Sequence, residues 1–197
     1  MGGVTSGAAV KQAPEAPPIE SSLGALARRA AHDEQAFREL YDRMKRPLYT
    51  FIYRMVGHMG EAEELFQDTL LKIHRNLGRL DDRDSFLAWC YSIARNTAIS
   101  HLRRRKAITE SIDDRPELEA PPNSHEETEV QLDLRKILMQ IPPRYRSLFI
   151  LGVLEQREYQ EISRMTGKSL ASVKIDIHRA RQMVRERWER LRKGGKL

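Results

Sequence analysis

The sequence predicts an all-α fold of two small helical domains joined by a flexible acidic linker. Apolar residues recur at three- and four-residue steps along most of the chain, which is the period of a helix face that packs on a core. Residues 107–129 lack this period and contain three prolines and eight acidic residues, a composition typical of a linker. With 197 residues, the chain is long enough for two small domains that each bury a modest core.

The composition indicates a soluble protein that binds a polyanion. Hydrophobic residues make up 40% and charged residues 31%, and the net charge of +6 attracts either nucleic acid or an acidic lipid surface. No run approaches the ~18 apolar residues of a membrane span, and the N-terminus lacks the apolar core of a signal peptide. The lone cysteine, Cys90, lies in an apolar stripe, where packing is expected rather than a reactive thiol. We therefore expect a location in the reducing cytoplasm.

The N-terminal part of the chain combines a tail with the first two predicted helices. Residues 1–21 are rich in Gly, Ala and Pro and hold too few apolar side chains to offset the entropy lost on ordering, so we expect a disordered tail. Helical periodicity then defines a first domain over 22–106. Its first helix has an apolar face over 23–30. The second has one over 37–55, where Pro47 is expected to bend or interrupt the helix.

Two further helices complete the first domain. A glycine turn at 57–60 precedes the helix predicted over 62–77. After a polar loop, Asp84 or Ser85 is expected to cap a helix that ends in the basic residues 103–106. This last helix also carries a mixture suited to the backbone and bases of opened DNA, namely Trp89, Tyr91, Arg95, Asn96 and His101. A solvated charged surface is the alternative, and these residues alone do not decide between the two.

The second domain is predicted over 130–190, with a basic tail at 191–197. Its first helix has an apolar face over 130–141, and Pro142 and Pro143 suit the start of the next helix. The remaining segment has the features of a helix-turn-helix, with a short helix, a glycine turn and a long capped helix.

The long helix of this helix-turn-helix has one apolar and one basic face. Gly167 suits the turn because it can adopt a positive φ, and Ser169 is a suitable N-cap. The predicted buried stripe consists of Leu170, Val173, Ile177, Ala180 and Val184. The outward side carries Lys174, Ile175, His178, Arg179 and Arg181. Basic side chains suit phosphates and guanine edges, and isoleucine suits a thymine methyl group, so DNA binding is favoured over a merely solvated basic helix.

Four sequence motifs, in a fixed order and spacing, carry a family resemblance. They are AEELFQDT at 62–69, FLAWCYSIARN at 86–96, IPPRYR at 141–146 and HRAR at 178–181. On these motifs the chain resembles, from about Asp33 to Trp188, the bacterial RNA polymerase sigma factors of the extracytoplasmic-function group. Members of that group carry only the domains called sigma-2 and sigma-4. The resemblance implies that 22–106 is sigma-2 and that 130–190 is sigma-4.

The resemblance implies a role for each surface in transcription initiation. Glu64, Gln67 and Asp68 would bind the clamp helices of the polymerase β′ subunit, although acids near a helix N-terminus are also ordinary complements of the helix dipole. The residues implied at the promoter minus-ten element are Arg79, Ser92, Arg95, Asn96, Arg103, Arg104 and Arg105. Those implied at the minus-35 element are Lys174, Ile175, His178, Arg179 and Arg181. Other implied partners are the polymerase β flap and an anti-sigma factor, often membrane-anchored, that would hold the protein inactive.

The chain also departs from the family pattern. Members often have small polar and basic residues where this chain has Ile175 and Asp176, and often Gly and Ser in place of Gln156 and Glu158. The preferred promoter therefore does not follow from relatives. In the family the linker runs through the RNA-exit path, and we hypothesise that the acidic residues of 107–129 imitate nucleic acid there.

Two other classes of function compete with a sigma factor. A simple transcription regulator would bind duplex DNA alone and would not need the Glu64, Gln67 and Asp68 face. An enzyme is least supported, because the six histidines are scattered and there is no nucleophile motif and no ligand spacing typical of a metal site. We therefore expect no catalytic residue, no metal and no cofactor.

Overall fold

The computed structural model describes residues 19–79, 86–109 and 128–194. Within these ranges the chain is helical and has no strand, which confirms the all-α fold class. The helices are α1 Ile19–Ala30, α2 Glu34–Val56, α3 Met59–Asn76, α4 Phe86–Thr109, α5 Glu129–Met139, α6 Pro143–Phe149, α7 Tyr159–Thr166 and α8 Leu170–Arg192. A 3-10 helix at Leu77–Arg79 follows α3, and a π-helical turn at Ile150–Leu154 joins α6 to the segment before α7.

Helices α1 to α4 form the first domain, with boundaries that differ slightly from those expected. Helix α1 starts at Ile19, inside the predicted tail, and α4 continues to Thr109, beyond the predicted boundary at 106. Asp33 caps α2 by accepting hydrogen bonds from the backbone N–H groups of Gln35 and Ala36, at 2.9 and 3.2 Å. Gly57 ends α2 with a φ of 76°, as the predicted glycine turn requires. The expected caps Asp84 and Ser85 lie outside the described residues.

Of the two effects expected of Pro47, a bend or an interruption of the helix, the interruption is wrong. Helix α2 is continuous from Glu34 to Val56 and contains Pro47. Met44 and Leu48, on either side of the proline, are both buried in the core. Tertiary packing of this face outweighs the backbone hydrogen bond that proline removes.

Helices α5 to α8 form the second domain, and their ends follow the predicted signals. Pro143 occupies the first turn of α6, Gly167 has a φ of 67° after α7, and the Ser169 side chain accepts from the Ser172 N–H to cap α8. The predicted burial of Leu170 is wrong, because this residue is 37% exposed. Leu170 lies in the first turn of α8, and the buried stripe of this helix begins at Val173, three residues later.

The two domains share one hydrophobic core. Apolar residues of the second domain belong to the same buried cluster as the core of α1 to α4; they are Leu148, Ile150, Leu151, Ile162, Met165, Val173 and Ile177. Helix α4 lies against α6 and α7, and α2 lies against α5. A smaller cluster, formed by residues of α5, α6 and α8, lies entirely within the second domain. The sequence predicts two separate cores, whereas the structure joins the larger one across the domain boundary.

Arg146, from the IPPRYR motif, connects the ends of two helices in different domains. Its guanidinium donates to the carbonyl of Met55 near the end of α2. It also donates to the carbonyls of Met139 and Ile141, at 2.8 and 3.1 Å, where α5 ends. The last carbonyls of a helix lack intrahelical partners and carry partial negative charge, so a cation stabilises them. Burial lowers the pKa of Arg146 to about 10, which leaves the side chain charged at neutral pH.

Candidate polymerase and DNA interfaces

The outward face of α8 presents the predicted DNA-binding residues together. Lys174, Ile175, His178, Arg179 and Arg181 are all exposed. The opposite face is buried through Val173, Ile177, Ala180 and Val184. Because the helix buries one stripe only, the exposed side presents basic side chains around a central isoleucine that is 53% exposed. This surface can bind phosphates and contact bases at the same time.

The side chain of Asp176, next to Ile175, points into the protein interior. It is 6% exposed and accepts a hydrogen bond from the Lys168 side chain in the turn before α8. Arg179 Nη1 lies 3.8 Å and Arg144 Nη2 4.0 Å from its Oδ1 atom. The carboxylate therefore ties the turn, α6 and α8 together. Of the two residues on α8 that depart from the family pattern, only Ile175 faces solvent.

This difference predicts that one of two neighbouring substitutions changes stability and the other changes base preference. Asp176→Asn is expected to lower the free energy of unfolding by about 1 kcal/mol, because the charged hydrogen bond from Lys168 is weakened, and to leave base preference unchanged. Ile175→Ala is expected to change base preference and leave stability within about 0.5 kcal/mol. Chemical denaturation measures stability, and selection of bound sequences from a random duplex library measures preference. An altered preference with Asp176→Asn would contradict the inward assignment.

The exposed side of α3 carries the predicted polymerase-binding residues. Glu64, Gln67 and Asp68 are exposed, opposite the buried residues Ala62, Leu65, Phe66, Thr69 and Ile73. Within the described part of the chain, neither Glu64 nor Asp68 forms an ion pair. Leu71 is 52% exposed and continues this face one turn further. Sequence reasoning missed Leu71, although its position beside the buried stripe was a usable signal.

Glu61, on the same helix, has an internal role instead. Its carboxylate accepts two hydrogen bonds from Arg105 Nη1, at 2.7 and 2.9 Å, and lies 3.2 Å from His101 Nε2. The ion pair between Glu61 and Arg105 joins the start of α3 to the end of α4. It also engages Arg105, one of the residues predicted to hold DNA phosphate.

The residues predicted at the minus-ten element are divided between surface and interior. Asn96, Arg103 and Arg104 are exposed on α4. Ser92 is half-buried, and its hydroxyl donates to the Trp89 carbonyl at 2.7 Å. Arg79 ends the 3-10 helix after α3, and its side chain lies outside the described part of the chain.

Arg95 and Tyr91 are covered by the second domain. Arg95 is 9% exposed, and its Nε donates to the Ser147 hydroxyl of α6 at 3.0 Å. Tyr91 is buried, and its hydroxyl donates to Glu155 at 2.9 Å and accepts from Arg157 at 3.2 Å. Burial lowers the pKa of Arg95 and raises the pKa values of Tyr91 and Glu155. In this conformation the Tyr91 ring has no exposed face for base stacking, because Phe51 packs against it and Arg157 of the second domain lies over it.

The described residues offer no candidate metal site. They contain no group of three His, Cys, Asp or Glu side chains placed to hold a metal ion. Cys90 is buried, and burial raises the pKa of its thiol, so its expected packing role is confirmed. Among the same residues no helix is long and apolar enough to cross a membrane.

Comparisons with known proteins agree with this arrangement. The family model for sigma-70 region 2 matches residues 40–108, and that for sigma-70 region 4 matches 131–184. The sigma factor SigF of Caulobacter vibrioides is 32% identical over 140 residues, covering 71% of this chain and 78% of that protein. SigW of Bacillus subtilis is 28% identical over 167 residues, covering 78% of this chain and 89% of that protein.

Solved structures show the same fold. The sigma factor RpoE of Bartonella quintana, in complex with the anti-sigma factor NepR, has a TM-score of 0.66 at 22% identity and covers 78% of this chain and 96% of its own. CnrH in complex with the cytosolic domain of CnrY has a TM-score of 0.66 at 20% identity and covers 84% of this chain and 96% of its own. The matched regions, their order and the relatives establish that the chain belongs to the extracytoplasmic-function group of RNA polymerase sigma factors.

Proposed function

We propose that this sigma factor directs core RNA polymerase to promoters through three separate surfaces. The α3 face binds polymerase, the α8 face binds the minus-35 duplex, and α4 contacts the minus-ten element. The observation that carries this proposal is the presence, on one chain, of an exposed acidic face on α3, without ion pairs to any described residue, and of an exposed basic face on α8. An acidic face is repelled by DNA and suits a basic protein partner, whereas a basic face suits the duplex.

The acidic α3 face suits the β′ clamp helices of the polymerase. Glu64 and Asp68 are one helical turn apart and supply charge, Gln67 supplies hydrogen bonds, and Leu71 adds an apolar contact. The second domain would in addition contact the β flap. Polymerase supplies the catalysis, and the sigma chain supplies recognition without an active site of its own.

The basic α8 face predicts a defined salt dependence. Alanine at Lys174 or Arg179 is expected to weaken binding to a minus-35 duplex and to reduce the slope of log affinity against log salt by about 1 per residue, because each removes one phosphate contact. Fluorescence anisotropy over a salt series measures the slope. Arg190→Ala, which removes an exposed charge nearer the end of the same helix, is the matched control. An unchanged slope for Lys174→Ala and Arg179→Ala would place the duplex elsewhere.

The minus-ten contacts depend on which side chains are accessible. Asn96, Arg103 and Arg104 are available on the surface of α4. Arg103 and Arg104 would hold phosphate, and Asn96 would contact a base. Opened bases must be held against a loss of stacking of a few kcal/mol, so several contacts are needed. Arg95 joins them only after α6 leaves α4.

An initiation assay tests the function as a whole. Core polymerase is incubated with this protein on fragmented genomic DNA, and the 5′ ends of the transcripts are sequenced. We expect start sites that share two sequence elements and are absent with core polymerase alone. A protein that binds duplex DNA alone but yields no new start sites would instead be a simple transcription regulator.

We further infer that an anti-sigma factor controls this chain in the cytoplasm. RpoE, which shares its fold, was solved in complex with the anti-sigma factor NepR, and CnrH, which also shares it, was solved in complex with the cytosolic domain of CnrY. The active protein would be associated with the nucleoid. With a membrane-anchored regulator, the inhibited protein would be held at the membrane. Co-purification of the tagged chain from its own cells tests this inference.

A further inference from the structure

We propose that the α4 surface carrying Tyr91 and Arg95 binds two partners in turn. In the free protein its partner is the α6 to α7 segment of the same chain, and during initiation its partner is the unpaired promoter strand. This inference rests on the proposed role of Arg95 at the minus-ten element. It goes further because it assigns a function to the contact between the domains. This contact prevents α4 from binding the unpaired strand until the domains separate.

Polar contacts show that the covered surface is a specific interface. Arg95 donates to Ser147, whose hydroxyl in turn donates to the Arg144 carbonyl at 2.9 Å. On the same face of α4, Tyr91 bonds both Glu155 and Arg157, and those two residues lie 3.7 Å apart as an ion pair. Buried polar groups must be paired to avoid a desolvation penalty, and here the partners of α4 come from the second domain.

Contacts on α2 extend the same interface. The Arg135 guanidinium of α5 donates to the Tyr53 hydroxyl and lies over its ring, 5.9 Å from the centroid. Arg146 donates to the Met55 carbonyl. Together with the shared apolar core, these contacts hold the second domain to the first along both α2 and α4.

The closed arrangement leaves other binding surfaces free. Glu64, Gln67 and Asp68 on α3 are exposed, and so is the basic face of α8. The closed chain can therefore present its polymerase-binding and duplex-binding faces while Arg95 is unavailable. Separation of the domains becomes a step between docking and strand capture.

The distance between the domains in the free protein tests the closed state without any ligand. Spin labels at Arg43→Cys in α2 and Gln182→Cys in α8, both exposed sites, report the distance by double electron–electron resonance. Cys90 is buried and is expected to remain unlabelled, which a chain without introduced cysteines verifies. We expect one narrow distribution for the full chain. A broad distribution in this otherwise unaltered protein would overturn the proposal.

Charge reversal at Glu155 tests what holds the domains together. Glu155→Lys places a cation beside Arg157 and is expected to give longer, broader distances with helical content retained by circular dichroism. Glu189→Lys makes the same charge change at an exposed site of α8, outside the interface, and is expected to leave the distances unchanged. A narrow distribution for a folded Glu155→Lys variant would show that this cluster does not hold the closed state.

Binding of a fluorescent single-stranded DNA of random sequence tests the shared surface. If the open form is about one tenth of the free protein, Glu155→Lys is expected to bind this probe about tenfold more tightly than Glu189→Lys, which carries the same net charge. Equal affinities would overturn the competition between the two partners. Adding saturating probe to the labelled, otherwise unaltered chain is expected to lengthen its distances, and an unchanged distribution with probe bound would overturn it as well.

A second substitution separates this proposal from the assigned role of Arg95. Arg95→Ala in the Glu155→Lys background is expected to remove the gain in strand affinity. If the gain persists, Arg95 does not contact the strand, and the minus-ten assignment fails. The distances measured without DNA would still support the closed state.

Discussion

Replacing both Glu64 and Asp68 by lysine is expected to weaken binding to core RNA polymerase about 30-fold, because two attractions across the interface become repulsions. Both carboxylates are exposed on α3 and have no ion-pair partner within the described chain, so the substitution leaves no internal charge unpaired. Helical content and thermal stability should change little. Biolayer interferometry with immobilised core polymerase measures the affinity.

A double reversal at Glu186 and Glu189 is the matched control. These two residues are also exposed and about one helical turn apart, but they lie on α8 in the other domain. The control adds the same charge and is expected to bind core polymerase within about twofold of the natural chain. Normal binding by the Glu64 and Asp68 variant would place the polymerase interface on another face.

Arg146→Met is expected to lower the free energy of unfolding by about 3 kcal/mol, because it leaves the buried carbonyls of Met55, Met139 and Ile141 without their charged donor. Methionine keeps most of the volume of the arginine stem, so the loss comes mainly from the hydrogen bonds and not from a cavity. Chemical denaturation followed by circular dichroism measures the difference.

Arg144→Met provides the comparison for this loss. Arg144 lies two residues earlier in the same short helix, with its guanidinium over the Tyr145 ring at 4.3 Å and more than half of its side chain exposed. Its replacement is expected to change stability by less than about 0.5 kcal/mol. Equal losses for the two variants would mean that Arg146 does not act by joining the ends of α2 and α5.

The helix-turn-helix was predictable almost completely because local rules determine it. Gly167 is needed for a positive φ, Ser169 for the cap, and a stripe from Val173 to Val184 for burial, and each depends on residues within one or two turns. Leu170 fails the pattern because the periodicity alone does not say where along a helix the neighbouring core begins. Asp176 shows the same limit, since its burial depends on where the preceding turn places the Lys168 side chain.

The amino-acid sequence by itself determined the all-α fold class, the order of the helices, the acidic face of α3 and the basic face of α8. These features follow from periodicity, capping and charge, which act over a few residues. Only the tertiary structure decided that Arg146 joins the ends of α2 and α5, and that Tyr91 and Arg95 lie beneath α6 and α7. The contacts of Arg146 with Met55, of Tyr91 with Glu155 and of Arg95 with Ser147 join residues 52 to 91 positions apart. A local sequence pattern does not indicate which polar surfaces will pack against each other over such separations.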